Sequence, residues 1–375
     1  NILKREIGQV KKLKFMHIAD VHLGVIPDKG KTWSEQRSRE IYHTFERILE
    51  IAGEEKVDLL LIAGDLFHYP PRIAMLKELD AQLAAVPDMT TILIAGNHDY
   101  RAAGSPLDRY EFQSDTICLK AGEAERVVLD DLRTCVTGIS YDRQEITEGI
   151  YDALEPEEIE ATAGYCQILL AHGGDARHCP LDRERLLASD FDYIALGHIH
   201  KPEIIAQDRM AFAGSPEPID YTDTGERGYI IGETIKEADG WKIHTKWVPV
   251  CNRQYVDLTV QMEPDMTNFQ LLQLVQDRIG EIGTQHIYRI ILEGCHDGVF
   301  RPDFNSLMNL YHIYEVVDYT HGVYDLERLA EENADNLLGR YIRNFENQED
   351  ELHQRALDYG VRALMRCREW SLENK

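Results

Sequence analysis

Five short motifs that combine aspartate, asparagine and histidine follow one another along the sequence. They are Asp20-Val21-His22, Gly64-Asp65-Leu66-Phe67-His68, Gly96-Asn97-His98-Asp99, Ala171-His172-Gly173-Gly174 and Gly197-His198-Ile199-His200. Carboxylate, amide and imidazole groups bind divalent cations in proteins. Seven such side chains exceed the need of one four-coordinate zinc ion, but they suit two cations about 3.5 to 4 Å apart that share a carboxylate. The motifs therefore predict a two-metal site.

The candidate metal ligands are Asp20, His22, Asp65, Asn97, His172, His198 and His200. Taken singly, each histidine would more often be a core or surface residue than a ligand, so the joint occurrence of the motifs carries the prediction. Gly64, Gly96, Gly173 and Gly197 would let the backbone turn sharply and approach the ions without a side chain in the way. His178, outside the motifs, is expected to be a structural or surface residue.

Each motif follows an apolar segment that has the pattern of a strand. Predicted strands cover residues 13–19, 57–63, 90–95, 166–171 and 192–196. Between the first three, apolar residues at a spacing of three and four predict amphipathic helices over residues 34–51 and 73–86. This alternation is typical of an α/β protein with buried parallel strands. Because ligands bind outside the carboxyl ends of such strands, we expect the five motifs to converge.

The charge balance restricts the substrates and partners. The 375 residues include 40 basic and 66 acidic ones, which gives a net charge of −26. This sign opposes passive binding to nucleic acid or to an anionic membrane, so a polyanionic substrate would need local positive charge, for example from bound cations. No apolar run is long enough to span a bilayer. Seven scattered cysteines without C-x-x-C spacing argue against a disulfide framework. We expect a cytoplasmic protein.

The pattern of predicted elements restarts after Val250. A strand over residues 255–260, a helix over 269–282 and a strand over 286–292 form a small unit, and two further helices are predicted over 326–345 and 351–367. We therefore predict three domains, with boundaries at residues 13–250, 251–322 and 323–375.

The ordered motifs D-x-H, G-D, G-N-H-D, x-H-x-G and G-H-x-H resemble those of the calcineurin-like metallophosphoesterases. More narrowly, IADVHLG (residues 18–24), GDLFH (64–68) and ALGHIH (195–200) are similar to SbcD and its archaeal and eukaryotic counterparts, the meiotic-recombination nucleases. AGSP (213–216) and TGERGY (224–229) also look like that family's stretch beyond the last metal motif. The resemblance implies an α/β fold: a layered metallophosphoesterase β-sandwich flanked by helices, with a smaller α+β capping domain and C-terminal helices.

The resemblance also implies a role for each motif residue. One ion would be held by Asp20, His22, Asp65 and His200 and the other by Asp65, Asn97, His172 and His198, so Asp65 would bridge them. His98 would stabilise the transition state or protonate the leaving oxygen, and Asp99 would orient His98. His68 matches a histidine implicated in exonuclease activity and in positioning the substrate phosphate, although its aromatic loop could simply pack on a neighbour. Manganese is the first choice of metal, and the same ligands would accept zinc, iron or nickel.

Partners follow from the same resemblance. The helices beyond the capping domain would dock on the coiled coil of an SbcC-type ATPase, or they would pack on their own domain. An apolar stripe could form a homodimer face or, more simply, pack against the sheet; it consists of Met75, Leu76, Leu79, Leu83 and Val86. No membrane partner is expected.

Three classes of function remain open. The favoured one is a two-metal-dependent phosphodiester hydrolase, a DNA exo/endonuclease subunit that acts in DNA repair with an SbcC-type ATPase. The alternative is a phosphatase or phosphodiesterase acting on a nucleotide or another small phosphorylated molecule, which the charge of −26 favours. A non-catalytic scaffold is disfavoured because no expected ligand is missing. The spacing of Asp65 and His68, and the presence of a domain after Val250, favour the nuclease.

Overall fold

The computed structural model describes residues 12–156, 160–237, 240–297, 300–345 and 350–373. The chain divides into two units between Tyr255 and Val256. This division is coarser than the three domains predicted from the sequence, whose boundaries stay a prediction.

The first unit contains two six-stranded sheets with helices between their strands. Its strands are β1 (Leu13–Ile18), β2 (Leu59–Ala63), β3 (Thr90–Ile94), β4 (Thr116–Cys118), β5 (Glu125–Leu129), β6 (Thr134–Gly138), β7 (Cys166–His172), β8 (Tyr193–Gly197), β9 (Glu203–Ala206), β10 (Met210–Phe212), β11 (Gly228–Glu237) and β12 (Gly240–Pro249), and its helices are α1 (Ser34–Glu54), α2 (Ile73–Leu83), α3 (Pro106–Arg109) and α4 (Arg183–Ala188). One sheet has the order β12-β11-β1-β2-β3-β4, and the other has the order β5-β6-β7-β8-β10-β9.

The side chains of strand β2 pack on both faces of the first sheet. All of its residues are apolar and buried. Because successive side chains of a strand point to opposite faces, Leu60 and Ile62 join a core that includes side chains of α1 and α2. Leu59 and Leu61 join a core that includes residues of β7 and β8 in the other sheet. The first unit is therefore a β-sandwich flanked by helices, as the sequence predicts.

The apolar stripe on α2 belongs mainly to this core. Leu76, Leu79 and Leu83 are buried in the same hydrophobic cluster as Leu60 and Ile62 of strand β2. These three side chains therefore pack against the sheet, which is the simpler of the two interpretations of the stripe.

The second unit is an α+β arrangement followed by helices. Its elements are β13 (Tyr255–Met262), α5 (Asn268–Ile282), β14 (Ile287–Asp297), α6 (Asn305–Met308), β15 (His312–Asp318), β16 (His321–Val323), α7 (Leu326–Glu332), α8 (Leu337–Arg343) and α9 (Glu351–Glu373). The sheet has the order β13-β14-β15, and β16 also pairs with β14. Within the described residues, no helix has both the length and the apolar composition needed to cross a membrane.

The predicted helix over residues 326–345 is wrong as a single element, because the structure has two helices, α7 and α8, in this region. The side chain of Asn336 accepts hydrogen bonds from the backbone N–H groups of Leu338 (2.9 Å) and Gly339 (3.3 Å), which begins a new helix at this point. A Cβ at position 339 would overlap the carbonyl oxygen of Asn333, so the glycine permits a close turn between the two helices.

Candidate metal centre

The five motifs lie at the carboxyl ends of five parallel strands. Strands β1, β2 and β3 are neighbours in the first sheet, and β7 and β8 are neighbours in the second. Strand β2 packs against β7 and β8, so the motif loops of both sheets come together. The convergence predicted from the sequence therefore places the candidate ligands in one crevice.

The backbone of the motif loops departs from ordinary conformations. Asp20 (φ 54°), His22 (φ 54°), Asp65 (φ 50°) and His198 (φ 97°) all have positive φ, which is uncommon for residues with a Cβ. Hydrogen bonds between the loops hold these conformations: the N–H of Asp20 donates to the Gly64 carbonyl at 3.1 Å, and the N–H of His22 donates to the Asp65 carbonyl at 3.0 Å. Such strain persists where the surroundings over-determine it, and it clusters at functional sites.

Two glycines leave room for the candidate ligands. A Cβ on Gly64 would overlap the Nδ1 of His172. A Cβ on Gly96 would overlap the Oδ1 of Asp65 and would lie 2.7 Å from the Nε2 of His172. The absence of a side chain at these two positions is therefore required for the ligand side chains to occupy their places.

One set of candidate ligands, the Asp20 group, consists of Asp20, His22 and His200. Their ligand atoms lie within 4.8 Å of one another. The Nε2 atoms of His22 and His200 are 3.1 Å apart, and Asp20 and His22 are fully buried. The Oδ2 of Asp65 lies 3.9 Å from the Nε2 of His22, at the edge of this group.

The other set, the Asp65 group, consists of Asp65, His172 and His198, whose ligand atoms also lie within 4.8 Å of one another. The Oδ1 of Asn97 lies 3.0 Å from both the Nε2 of His172 and the Nδ1 of His198. The same Asp65 oxygen that approaches His22 lies 3.4 Å from the Nε2 of His172. Asp65, a member of the second group, thus also lies at the edge of the Asp20 group. This is the position where the sequence predicts a bridging carboxylate.

The ligand atoms of the Asp65 group are suited to bind a divalent cation. The Nδ1 of His172 lies 2.8 Å from the Ala63 carbonyl, which can only accept, so Nδ1 donates and the Nε2 of the neutral ring carries a lone pair. This Nε2 faces two further acceptors, the Oδ1 of Asn97 and the Oδ2 of Asp65. Acceptor atoms that meet so closely require a proton or a cation between them. Together with the Asp20 group, they are able to hold divalent metal.

Burial and neighbouring charges shift the pKa values of several groups in the site in opposite directions. Burial raises the pKa of Asp20 to about 6, against the opposing effect of His172 and His200. Burial acts on Asp65 in the same direction, but the charge and hydrogen bond of His172 hold the pKa of Asp65 below its usual range. Burial would lower the pKa of His172, but Asp65 raises it to about 9. Burial would likewise lower the pKa of His200, but the hydrogen bond to Asp223 and the charges of the nearby carboxylates together raise it to about 9. A metal ion would therefore compete with a proton in each group.

His98 and His68 lie beside the Asp20 group. The backbone N–H of His98 donates to the Oδ1 of Asp65 at 2.8 Å, and the ring centroids of His98 and His22 are 4.8 Å apart. The ring of His68 stacks on that of His98 at 4.7 Å, and its Nδ1 lies 3.2 Å from the Nδ1 of His22. Both rings are only partly buried. They therefore stand where a substrate could reach them.

The contacts of Asp99 differ from the sequence prediction that it orients His98. The Oδ1 of Asp99 accepts from the N–H of Gly96 at 2.7 Å, and its Oδ2 accepts from the N–H of Phe67 at 3.0 Å. Among the described hydrogen bonds, the Nδ1 of His98 lies instead 3.2 Å from the carbonyl of His68. Asp99 therefore fastens the second motif loop to the third, because its carboxylate is buried between their backbone amides.

Sequence reasoning missed two carboxylates and a histidine at this centre. Asp175 contacts His198, Asp223 contacts His200, and His178 contacts Asp175. The Asp-x-x-His spacing directly after the fourth motif is a sequence signal that could have pointed to Asp175 and His178. No comparable signal marks Asp223, which reaches the site only through the fold.

A family model described as calcineurin-like phosphoesterase matches residues 13–202, about half of the chain. The chain is 28% identical to the DNA double-strand break repair protein Mre11 of Methanocaldococcus jannaschii over 268 residues. This aligned region covers 66% of this chain and 70% of that protein. The chain is 24% identical over 301 residues to the SbcD subunit of the nuclease SbcCD of Escherichia coli K12, with 67% of this chain and 74% of that protein covered. It is also 24% identical over 308 residues to the uncharacterized metallophosphoesterase YhaO of Bacillus subtilis, with 75% and 72% covered.

Proposed function

Because the chain belongs to the calcineurin-like phosphoesterase family and is a metal-dependent phosphoesterase, we propose that it is a DNA exo/endonuclease that acts in DNA repair. The observation that carries this proposal is the position of Asp65 between two groups of ligand atoms, with His98 and His68 beside it. The relatives named as a DNA repair protein and a nuclease support DNA as the substrate, since their similarity runs over more residues than the family model covers.

In this proposal the Asp20 group and Asp65 hold one divalent cation, and the Asp65 group and Asn97 hold the other. When bound, the two cations polarise a phosphodiester and lower the pKa of water. We propose manganese as the resident metal, and zinc, iron or nickel would suit the same mixture of carboxylate, amide and imidazole ligands.

His98 acts on the proton that must move during hydrolysis. Its Nδ1 lies 3.2 Å from the carbonyl of His68, and because a carbonyl only accepts, Nδ1 carries a hydrogen. The Nε2 is then the atom left to exchange a proton with the substrate: the neutral ring accepts there, and the imidazolium donates to a leaving oxygen. His68, which stacks on His98, positions the substrate phosphate.

We further propose that the C-terminal helices dock on a partner ATPase of the SbcC type. Helices α7, α8 and α9 share a small core of Ala330, Leu338, Ile342 and Val361, so part of their apolar surface packs internally. Leu337, Leu352 and Tyr359 are nevertheless exposed. These exposed apolar side chains, and the description of one relative as a subunit of a nuclease, support a docking role.

The proposal is tested by incubating the protein with Mn²⁺ and an end-labelled linear DNA duplex that carries single-stranded ends. We expect release of mononucleotides or short fragments, and we expect a chelator to stop it because the reaction would need divalent cations to bind the phosphate. A chelator-insensitive reaction would mean that another enzyme is responsible.

A second candidate function is hydrolysis of a nucleotide or another small phosphorylated molecule. The net charge of −26 favours it, since a strongly acidic protein repels DNA at long range. A parallel assay with a panel of nucleotides separates the two functions. Turnover of the panel with intact DNA would reject the nuclease and favour this candidate.

A further inference from the structure

The two histidines of the last motif each contact a carboxylate that lies outside the motifs. The Oδ2 of Asp175 lies 2.7 Å from the Nε2 of His198, and the Oδ2 of Asp223 lies 3.1 Å from the Nδ1 of His200. We propose that Asp175 and Asp223 are positioning residues that hold His198 and His200 in opposite tautomers, so that each ring turns a different nitrogen toward the metals. This inference rests on the metal centre of the proposed function.

The tautomers follow from hydrogen-bond chemistry. An ionised carboxylate only accepts, so the ring nitrogen that faces it carries the hydrogen. Metal binding requires the neutral ring, in which the other nitrogen carries a lone pair. In His198 the lone pair is on Nδ1, which lies 3.0 Å from the Oδ1 of Asn97 in the Asp65 group. In His200 it is on Nε2, which lies 3.1 Å from the Nε2 of His22 in the Asp20 group. Two histidines in one short motif would thus bind two different cations.

Asp175 is held in place by its own loop. Its Oδ1 accepts from the backbone N–H groups of Arg177 at 2.7 Å and His178 at 3.0 Å. The Nδ1 of His178 lies 2.9 Å from the Oδ2 of Asp175, the oxygen that also faces His198. The loop is closed by a hydrogen bond from the N–H of Gly174 to the carbonyl of Cys179 at 2.9 Å. These contacts within the loop therefore hold the carboxylate of Asp175 in the orientation in which it contacts the imidazole of His198.

Asp223 is fixed in a buried setting. The backbone N–H of Ile219 donates to its Oδ2 at 3.0 Å, and the Nη2 of Arg227 lies 3.6 Å from its Oδ1. The Nη1 of Arg227 donates to the carbonyl of His200 at 2.5 Å. Asp223 and Arg227 thus hold His200 by its ring and by its backbone.

The two carboxylates differ in exposure to solvent. The side chain of Asp175 is 47% exposed, whereas that of Asp223 is 8% exposed. A hydrogen bond to a charged group is screened less where water is excluded. Loss of the charge at Asp223 should therefore weaken metal binding more than loss of the charge at Asp175.

The first test is nuclear magnetic resonance of the full chain labelled with ¹⁵N at histidine and loaded with Zn²⁺, which is diamagnetic. We expect His198 to carry its hydrogen on Nε2 and His200 on Nδ1, and we expect the His198 N–H signal to shift in Asp175→Asn and the His200 signal in Asp223→Asn. The same tautomer in both histidines, or signals that neither substitution moves, would overturn the proposal.

The second test is calorimetric titration of Mn²⁺ into the metal-free full chain. Asp223→Asn should weaken binding by about 10- to 100-fold, as removal of such partners does elsewhere, and Asp175→Asn should weaken it less. Asp208→Asn is the matched control, because Asp208 also accepts from a backbone N–H, that of Thr245, but contacts no motif residue in the described hydrogen bonds. It should leave the affinity unchanged.

Unchanged affinity in both variants would overturn the positioning roles. A further Mn²⁺ equivalent that is lost only in Asp175→Asn would also overturn the role of Asp175, because it would make Asp175 a ligand together with His178 and His198. If Asp223→Asn fails to fold, the Asp175→Asn titration and the wild-type tautomers still decide. Neither test uses DNA or turnover, so failure of the nuclease assay and failure of this inference are distinguishable.

Discussion

Helix α5 of the second unit has the conformation that its local sequence favours, whereas the metal centre of the first unit does not. At the centre, Asp20 and Asp65 are buried carboxylates with positive φ. Helix α5 instead begins with a capping box in which the side chains of Thr267 and Gln270 satisfy each other's backbone amides. It buries an apolar stripe at the expected spacing, formed by Leu271, Val275 and Ile279.

This contrast indicates which residues of the chain are functional. Helix α5 follows from local preferences, whereas the motif loops are held against such preferences by contacts between the two sheets and their loops. Local rules are broken mainly where a protein binds or reacts, because stability alone gives no reason to break them. Substitutions at the centre should therefore affect metal binding and turnover, and substitutions in the second unit should affect local stability.

The largest effect is expected from Asp65→Asn. The substitution removes the charge that stands between the Asp20 group and the Asp65 group, so both cations should be lost and phosphodiester cleavage abolished. Elemental analysis measures the metal content, and the duplex assay measures the cleavage. Asp208→Asn is the control, since Asp208 also has a positive φ (63°). A variant that keeps two metal equivalents would contradict the bridging role.

Gly96→Ala should come next. The added Cβ would overlap the Oδ1 of Asp65. Because Asp65 and His172 are buried, their side chains have little room to move away. We expect Mn²⁺ binding to weaken by more than about tenfold, because the ligands lose their geometry. The matched substitution Gly280→Ala lies in α5, where the new Cβ meets nothing within 4 Å, and it should stabilise the helix by up to about 1 kcal/mol.

Calorimetric titration of both alanine variants with Mn²⁺ checks this pair. Equal affinities for Gly96→Ala and Gly280→Ala would show that the glycine at the third motif has no steric role.

His98→Ala should separate turnover from metal binding. Alanine keeps the backbone N–H that donates to Asp65, so the metal content should stay intact, while loss of the imidazole should lower the rate of cleavage by about 10² or more. Single-turnover kinetics at saturating Mn²⁺ measure this. His43→Ala, on the exposed side of α1, should cleave at the wild-type rate; a His98→Ala variant that did the same would exclude the proton-transfer role.

Asn336→Ala should have the smallest effect. It removes the side-chain acceptor for two amides at the start of α8, which costs about 1 kcal/mol for a typical helix cap. Amide hydrogen exchange in α8 should quicken by about fivefold, and cleavage of DNA should not change. Slower cleavage would mean that the C-terminal helices influence the metal centre.

The sequence was sufficient to predict the regular elements and the convergence of the motifs. The predicted helix over residues 269–282 matches α5 (Asn268–Ile282), and the apolar segment before the second motif matches β2. These features depend on periodicity and on the general placement of ligands at strand ends, which a single sequence displays. The ligand roles of the individual residues stay predictions.

Other features could not be predicted because they depend on contacts between distant segments. The buried carboxylate of Asp99 binds the amide of Phe67 in another loop, and Asp223 reaches His200 from a segment outside the five motifs. The break between α7 and α8 has local causes instead: Asn336 caps the start of α8, and a Cβ on Gly339 would overlap the carbonyl oxygen of Asn333.

We propose that one carboxylate, that of Asp65, is shared by two cations at the edge of the sandwich. A crystal of the full chain grown with Mn²⁺ and measured on both sides of the manganese absorption edge tests it most directly. We predict two anomalous peaks about 3.5 to 4 Å apart, one beside His200 and the other beside His172, with Asp65 touching both. A single peak, or two peaks of which Asp65 touches only one, would contradict the claim.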